Sequence, residues 1–198
     1  MPVPKDTPAP LPSFQHLILL RGNSGSGKTT AAQALRCAMR ERFGRGGTML
    51  VSQDVIRIDL LDVRDTGDNE SITLIREICA YGQRAGKHVI LEGILDRWKY
   101  GAMLSDLLAR WQRPAPPADP SAPVCQAARG QTHVYYYDVP LEITLDRHDT
   151  RPQKDLFTKE DMRRWYNTDN RLHVPGEQIL TADLSVSEAV ARMLRALP

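Results

Sequence analysis

The glycine-rich stretch GNSGSGKTT, residues 22–30, constrains the fold of this chain more than any other feature. It places three glycines within six residues, and it follows the apolar run HLILL after a single arginine. Glycine inside a helix or strand gives up backbone entropy and contributes no packing, so the cluster indicates that the backbone itself approaches something closely. Leu17–Leu20 is typical of a strand buried on both faces of a parallel sheet, and residues 28–43 repeat apolar side chains at helical spacing. The stretch is therefore predicted to be a loop between a buried strand and a helix.

This loop matches a phosphate-binding pattern in full, G-x-x-x-x-G-K-[ST]. Backbone N–H groups of such a loop point inward at a phosphate, and the positive end of the helix dipole adds to the same spot. Lys28 is expected to reach the β- and γ-phosphates of a nucleotide, and the hydroxyl of Thr29 is expected to bind Mg²⁺. The predicted nucleotide-binding residues are Gly22, Asn23, Ser24, Gly25, Ser26, Gly27, Lys28, Thr29 and Thr30.

Two carboxylates follow or end predicted strands at 48–52 and 88–93, where ligands of open parallel sheets bind. Asp54 is the candidate that accepts the hydrogen bond, and the proton, of a substrate hydroxyl. Arg57 lies one helical turn further on and could hold the acceptor. Glu92 is expected to orient a Mg²⁺-bound water, with direct contact to the acceptor as a second possibility. The alternatives are a helix N-cap for Asp54 and a solvated strand end for Glu92.

A third group of candidate residues lies in the segment LDRHDTRP. Arg147 and Arg151 are four residues apart, so a helical turn would bring both guanidinium groups to one side. Phosphoryl transfer requires charge to be stabilised on the phosphate oxygens, and the arginine fork matches that geometry. Both arginines are therefore candidate catalytic residues beside Lys28 and Asp54, and the alternative is a solvated basic helix face.

Predicted strands and helices alternate along the rest of the chain, which indicates an α/β fold with a parallel sheet covered by helices on both faces. Further strands are expected at 133–139 and 178–181. Pairs such as Ser185 and Glu188 mark helix starts as capping boxes. The other helices are expected at 54–62, 71–85, 98–112, 140–148 and 158–172.

Composition divides the chain into a leader, a domain and an insertion. Residues 1–13 contain five prolines and are interpreted as a disordered leader, while residues 14–198 are expected to form a single domain. Residues 113–131 are also rich in proline and are interpreted as a flexible surface insertion. The leader lacks a signal sequence and no apolar run approaches the ~20 residues that span a bilayer, so a cytoplasmic protein without membrane contact is expected.

These motifs resemble those of the P-loop kinases of the adenylate-kinase-like group. The group includes chloramphenicol phosphotransferase, zeta toxin, gluconate kinase, tunicamycin-resistance protein and the kinase domain of polynucleotide kinase. The resemblance lies in GNSGSGKT, QDVIR, VILEG and DRHDTR. It implies a three-layer α/β/α P-loop NTPase fold with a five-stranded sheet of order 2-3-1-4-5, ATP and Mg²⁺ as cofactors, and an arginine-bearing lid at about 147–165. It also implies that residues 181–185 lie near the adenine.

The sequence therefore predicts an ATP- and Mg²⁺-dependent phosphotransferase that acts on a hydroxyl of a small molecule, such as an antibiotic, nucleoside, sugar or related metabolite. A 5′-hydroxyl polynucleotide kinase is the first alternative, because the D-x-x-R pattern of Asp54 and Arg57 also occurs there. The net charge of +2 favours the small molecule, because binding to a phosphate backbone normally needs a basic surface. A non-catalytic ATP-binding regulator is the second alternative. The acceptor, the preference between ATP and GTP and the oligomeric state stay open.

Overall fold

A computed structural model describes residues 14–113, 129–149 and 157–197. The predicted leader at 1–13 and most of the predicted insertion at 113–131 lie outside the described residues.

The described strands and helices alternate along the chain, as the sequence predicts. The strands are β1 (Phe14–Gly22), β2 (Thr48–Ser52), β3 (His88–Gly93), β4 (Arg129–Asp138) and β5 (Gln178–Thr181). The helices are α1 (Lys28–Phe43), α2 (Glu70–Arg84), α3 (Arg97–Trp111), α4 (Leu141–His148), α5 (Lys159–Trp165) and α6 (Val186–Arg195), with a π-helix at Val55–Leu60.

The described strands form one parallel sheet in the order β2-β3-β1-β4-β5. Strand β1 lies at its centre, between β3 and β4. This is the order of a three-layer α/β/α P-loop NTPase fold, so the predicted fold class is confirmed. The carboxyl ends of β1, β2 and β3 meet at one edge of the sheet, which brings the predicted site residues together.

The continuous apolar character of β1 has a direct cause in the two cores of the protein. Leu17 and Leu19 face a core that is closed by α2 and α3, whereas Ile18 and Leu20 face a second core that is closed by α1 and α6. All four side chains are buried. Because both faces of the central strand are covered, these four consecutive positions all need an apolar side chain.

Three predicted boundaries are wrong. The helix expected at 54–62 is a π-helix over Val55–Leu60, and π-helices occur frequently at functional sites. The helix expected at 158–172 ends at Trp165, because the next residue adopts an extended conformation with φ −66° and ψ 123°. Strand β4 begins at Arg129, so residues 129–131 belong to the sheet and not to the insertion.

The helix starts are predicted well where side chains cap them. Thr158 and Asp161 form a complete capping box at α5, and Ser185 and Glu188 form another at α6. None of the helices in the described ranges combines the length and the apolar character that crossing a membrane requires.

A cluster of buried histidines lies at the amino-terminal edge of the sheet, opposite the predicted site. The backbone N–H of His16 donates to Nδ1 of His88 at 3.2 Å, and the two rings stack with centroids 5.0 Å apart. Burial lowers the pKa of His16 to about 3 and the pKa of His88 to about 4, and the charge of Arg42 contributes to both shifts, while His88 and His133 contribute to that of His16. Both imidazoles are therefore neutral in the folded protein at neutral pH.

Candidate active site

The glycine-rich loop connects the carboxyl end of β1 to the first turn of α1, as the sequence predicts. Gly25 adopts φ +81°, a left-handed conformation that side chains rarely adopt. A Cβ atom at this position would lie 2.8 Å from the carbonyl oxygen of Thr144 in α4 and 3.2 Å from Cε of Met162 in α5. The loop backbone is therefore packed directly against α4 and against α5, which lies in the predicted lid, and only glycine fits there.

Lys28 is the first residue of α1, and its side chain folds back over the loop. Its Nζ donates to the carbonyl oxygen of Asn23 at 3.1 Å. A buried ammonium group is thereby held beside the backbone amides that are predicted to bind phosphate. This is the place that a lysine needs in order to contact β- and γ-phosphates.

Glu92 ends β3 and faces the start of α1. Oγ1 of Thr29 donates to its Oε2 at 3.0 Å, and Oγ of Ser52 donates to its Oε1 at 2.5 Å. With only 3% of its surface exposed, Glu92 is not a solvated strand end. Two hydroxyls and one carboxylate therefore meet beside the phosphate loop.

This oxygen-rich arrangement fits Mg²⁺, a hard cation that is bound in nucleotide sites by few protein oxygens together with phosphate oxygens and water. Across the described residues, no group of three or more His, Cys, Asp or Glu side chains forms a metal site. A site built from many side chains, as for zinc, is therefore not present in that part of the chain, whereas Thr29 and Glu92 suit a magnesium ion that is shared with a nucleotide.

Arg147 extends from α4 across the phosphate loop. Its Nη1 donates to the carbonyl oxygen of Ser26 at 3.1 Å, and its Nη2 donates to the carbonyl oxygen of Ala182 at 3.4 Å. The guanidinium group thus joins the loop to the turn after β5 and does not lie on a solvated helix face. The second predicted arginine, Arg151, lies outside the described residues.

Asp54 and Arg57 lie next to this centre, at the carboxyl end of β2. Oδ1 of Asp54 lies 3.4 Å from Nη2 of Arg57, and Nη1 of Arg57 donates to the carbonyl oxygen of Val63 at 3.2 Å. Asp54 precedes the π-helix, but its side chain accepts no capping hydrogen bond, so the N-cap alternative is not supported. Its side chain is 66% exposed and is open to an incoming molecule.

Asn167 was not predicted from the sequence, and it connects the phosphate loop to the start of α3. Nδ2 of Asn23 donates to the carbonyl oxygen of Asn167 at 2.9 Å, and the N–H of Asn167 donates back to Oδ1 of Asn23 at 3.1 Å. Nδ2 of Asn167 also donates to Oδ2 of Asp96 at 3.0 Å. The composition of YNTDN, residues 166–170, favours such turns, but the predicted helix over this segment hid the signal.

Arg21 is a buried residue of β1, one residue before the loop. Its side chain holds the segment that follows β3. Its Nη2 donates to the carbonyl oxygen of Leu95 at 2.6 Å and to Oδ1 of Asn170 at 3.2 Å. Burial lowers the pKa of Arg21 to about 10, although nearby Glu177 opposes this change. The side chain still carries its charge at neutral pH and holds β1, β3 and the 166–170 segment together.

The sheet order, the phosphate loop and the adjoining Thr29–Glu92 pair define a P-loop protein with the fold of the adenylate-kinase-like kinases. The sequence matches the AAA domain family over residues 17–168, most of the chain, and the protein belongs to that family.

Comparison with solved structures confirms the fold of this class. The APS kinase of Mycobacterium tuberculosis, solved with AMPPNP and APS, shares 18% identity at a TM-score of 0.66, and the match covers 94% of this chain and 99% of that one. A gluconokinase from Sinorhizobium meliloti shares 15% identity at a TM-score of 0.56, with 93% and 96% covered. A sugar kinase from Janibacter sp. HTCC2649 shares 18% identity at a TM-score of 0.52, with 92% and 93% covered. No curated protein matches the sequence significantly. At these identities the similarity establishes the fold and not the acceptor.

Proposed function

We propose that this protein is an ATP- and Mg²⁺-dependent phosphotransferase that moves the γ-phosphoryl group to a hydroxyl of a small molecule. The observation that carries the proposal is the convergence of three features at one sheet edge. These features are the phosphate loop, the buried carboxylate of Glu92 and the guanidinium group of Arg147. Glu92 accepts a hydrogen bond from Thr29, and Arg147 donates one to Ser26 of the loop. This combination suits phosphoryl transfer, which needs the phosphates held and their charge neutralised.

The loop residues would hold the triphosphate through backbone N–H groups, with Lys28 beside the β- and γ-phosphates. Thr29 would bind Mg²⁺ directly and Glu92 would do so through water. When bound, Mg²⁺ neutralises charge that develops on the phosphate oxygens. Arg147, which already contacts the loop at Ser26, would stabilise the same charge, and Arg151 remains a candidate for the same role.

In the transfer, the acceptor oxygen forms a bond to the γ-phosphorus while the bond from that phosphorus to the bridging oxygen breaks. The bridging oxygen leaves with ADP, and the proton of the acceptor hydroxyl passes to a base. Asp54 is the candidate base, because its carboxylate is exposed just after the carboxyl end of β2, at the sheet edge where the phosphate loop also lies. Arg57 would orient this carboxylate and the acceptor.

A 5′-hydroxyl polynucleotide kinase is the second candidate, and the specific observation in its favour is the Asp54–Arg57 pair. Salt separates the two functions. The affinity for a polynucleotide falls steeply with salt concentration, because binding releases counterions from the phosphate backbone. The affinity for an uncharged small acceptor changes little.

The direct test offers Mg²⁺-ATP together with a mixed set of nucleosides, sugars, antibiotics and short oligonucleotides, followed by mass spectrometry of each compound. We expect one class of compound to gain a phosphate, and we expect Lys28→Ala to abolish the gain. Tight ATP binding without transfer to any compound would contradict the proposal and support a non-catalytic regulator. Near-normal turnover by Lys28→Ala would remove the assigned role of the loop.

A further inference from the structure

Trp98 is an exposed aromatic residue in the first turn of α3, the helix that follows β3. Its side chain is 76% exposed, more than any other exposed large apolar side chain in the described part of the chain. A large aromatic ring in water loses the free energy that burial would provide. A single exposed apolar residue is common on protein surfaces, whereas several of them together beside polar groups mark a surface that binds ligands.

The position of Trp98 is fixed by the same residues that hold the phosphate loop. Its backbone N–H donates to Oδ1 of Asp96 at 2.9 Å, at the start of α3. Oδ2 of Asp96 accepts from Asn167, which exchanges two hydrogen bonds with Asn23 of the loop. Trp98 is therefore connected to the phosphate loop through only two intervening residues.

The indole ring is held in place by its neighbour Arg97. The guanidinium carbon of Arg97 lies 4.5 Å from a ring centroid of Trp98, within the range of a cation–π interaction. Nη2 of Arg97 in turn lies 2.8 Å from Oδ2 of Asp169, and its backbone N–H donates to Asn170 at 2.7 Å. The ring is therefore supported and orientated, although most of its surface stays open.

Exposed apolar side chains also follow Asp54 at the end of the neighbouring strand. Val55, Ile58 and Leu60 of the π-helix are all exposed. Strands β2 and β3 pair side by side, with Ser52 opposite Glu92, and the N–H of Leu95 donates to Oε1 of Gln53 at 2.8 Å. The π-helix with its exposed apolar side chains and the start of α3 with Trp98 therefore follow the ends of two adjacent strands, and Asp54 lies directly before the π-helix.

We propose that the phosphate acceptor contains a planar aromatic or heteroaromatic ring, which stacks on the indole of Trp98 while its hydroxyl is presented to Asp54. This inference rests on the proposed function and narrows it. Nucleosides and aromatic natural products fit such a surface, because every planar ring offers a π-face and stacking tolerates different ring systems. Free sugars and sugar acids have no aromatic π-face and keep strongly hydrated hydroxyls or a carboxylate, so we expect them to bind this surface more weakly.

The test measures equilibrium binding with the nucleotide site filled by saturating Mg²⁺-AMPPNP. The probes are two compounds with an aromatic ring, adenosine and p-nitrophenyl glucoside (the ring compounds), and two compounds without an aromatic ring, glucose and gluconate. We expect at least one ring compound to bind, Trp98→Ala to weaken that binding at least tenfold, and Trp98→Phe to restore most of it. Tyr81→Ala is the matched control, because Tyr81 is also an exposed aromatic residue but lies on α2, towards the opposite edge of the sheet.

Two results would overturn the inference. One is binding of glucose or gluconate in preference to both ring compounds. The other is that no ring compound binds, or that the one that binds has the same affinity for Trp98→Ala as for Tyr81→Ala. Failure of the proposed function gives a different pattern, in which ring binding depends on Trp98 but no compound gains a phosphate from Mg²⁺-ATP.

Discussion

Replacing Gly25 by alanine tests the packing of the phosphate loop against α4 and α5, on which the position of Arg147 depends. The new Cβ would lie 2.8 Å from the carbonyl oxygen of Thr144 and 3.0 Å from its Cβ. Because backbone atoms cannot give way as a flexible side chain can, we expect α4 to move away from the loop. Arg147 belongs to α4 and would lose its contact with Ser26.

The chain contains a matched control for the backbone part of this effect. Gly46 has the same φ of +81° as Gly25, but no atom lies within 4 Å of a Cβ built there. Each alanine then carries a similar left-handed penalty of ~1–2 kcal/mol. Only Gly25→Ala adds the cost of overpacking, roughly 1–3 kcal/mol. The difference between the two variants in unfolding free energy therefore measures the contact with α4.

Thermal unfolding and turnover together check this prediction. For a chain of this size, 1 kcal/mol shifts Tm by ~2–4 °C, so Gly25→Ala should unfold roughly 2–12 °C below Gly46→Ala. Gly46→Ala should keep the turnover of the unmodified protein, whereas Gly25→Ala should lose at least about tenfold, because ~1.4 kcal/mol of lost transition-state stabilisation is a factor of ten. Equal Tm values and equal turnover in the two variants would show that close packing of Gly25 against α4 neither limits stability nor positions Arg147.

Three further predictions follow from the site and the core. Glu92→Gln keeps the shape of the side chain but removes its charge, so we expect the Mg²⁺ concentration for half-maximal turnover to rise; an unchanged Mg²⁺ titration would leave Glu92 without a role at the metal. Asp54→Asn should lower kcat far more than ATP affinity, as single-turnover kinetics and calorimetry can show, and an unchanged kcat would exclude Asp54 as the base. Because the pKa values of His16 and His88 are lowered in the folded protein, the unfolded chain binds protons at a higher pH than the folded protein does. Stability is therefore lost as the pH falls below about 6.5. Denaturant titrations should show the unfolding free energy dropping by roughly 1–3 kcal/mol between about pH 7 and pH 5, and His16→Phe, which cannot be protonated, should reduce this drop if its ring packs in the same place.

The fold could be predicted because its determinants are local and repeated. The apolar run at 17–20 indicates burial on both faces, and the capping box of Ser185 and Glu188 marks a helix start without any tertiary information. Thr29 and Glu92 are far apart in sequence, yet their proximity was predictable, since the carboxyl ends of neighbouring parallel strands meet at one edge.

The remaining features depend on how distant segments return to this edge. Asn23 and Asn167 are separated by 144 positions, and no spacing rule connects a loop to a turn that lies beyond α5. This turn is bonded to the phosphate loop and to Asp96, and it begins where α5 ends, at Trp165. Helical periodicity alone predicted a helix end several residues later. The π-helix after β2 has no clear sequence signature, because its side-chain spacing over six residues resembles that of an α-helix.

The proposed reaction transfers a phosphoryl group directly from a nucleotide, held by the phosphate loop, to an acceptor hydroxyl. The most direct measurement uses ATP that carries ¹⁸O in the non-bridging γ-oxygens, with Mg²⁺ and the acceptor set described above, and follows the label by mass spectrometry. Under direct transfer, we expect one acceptor to receive the labelled phosphoryl group intact and to keep its own unlabelled oxygen in the new bond. Label that appears only in inorganic phosphate, or stays in ATP throughout, would contradict it.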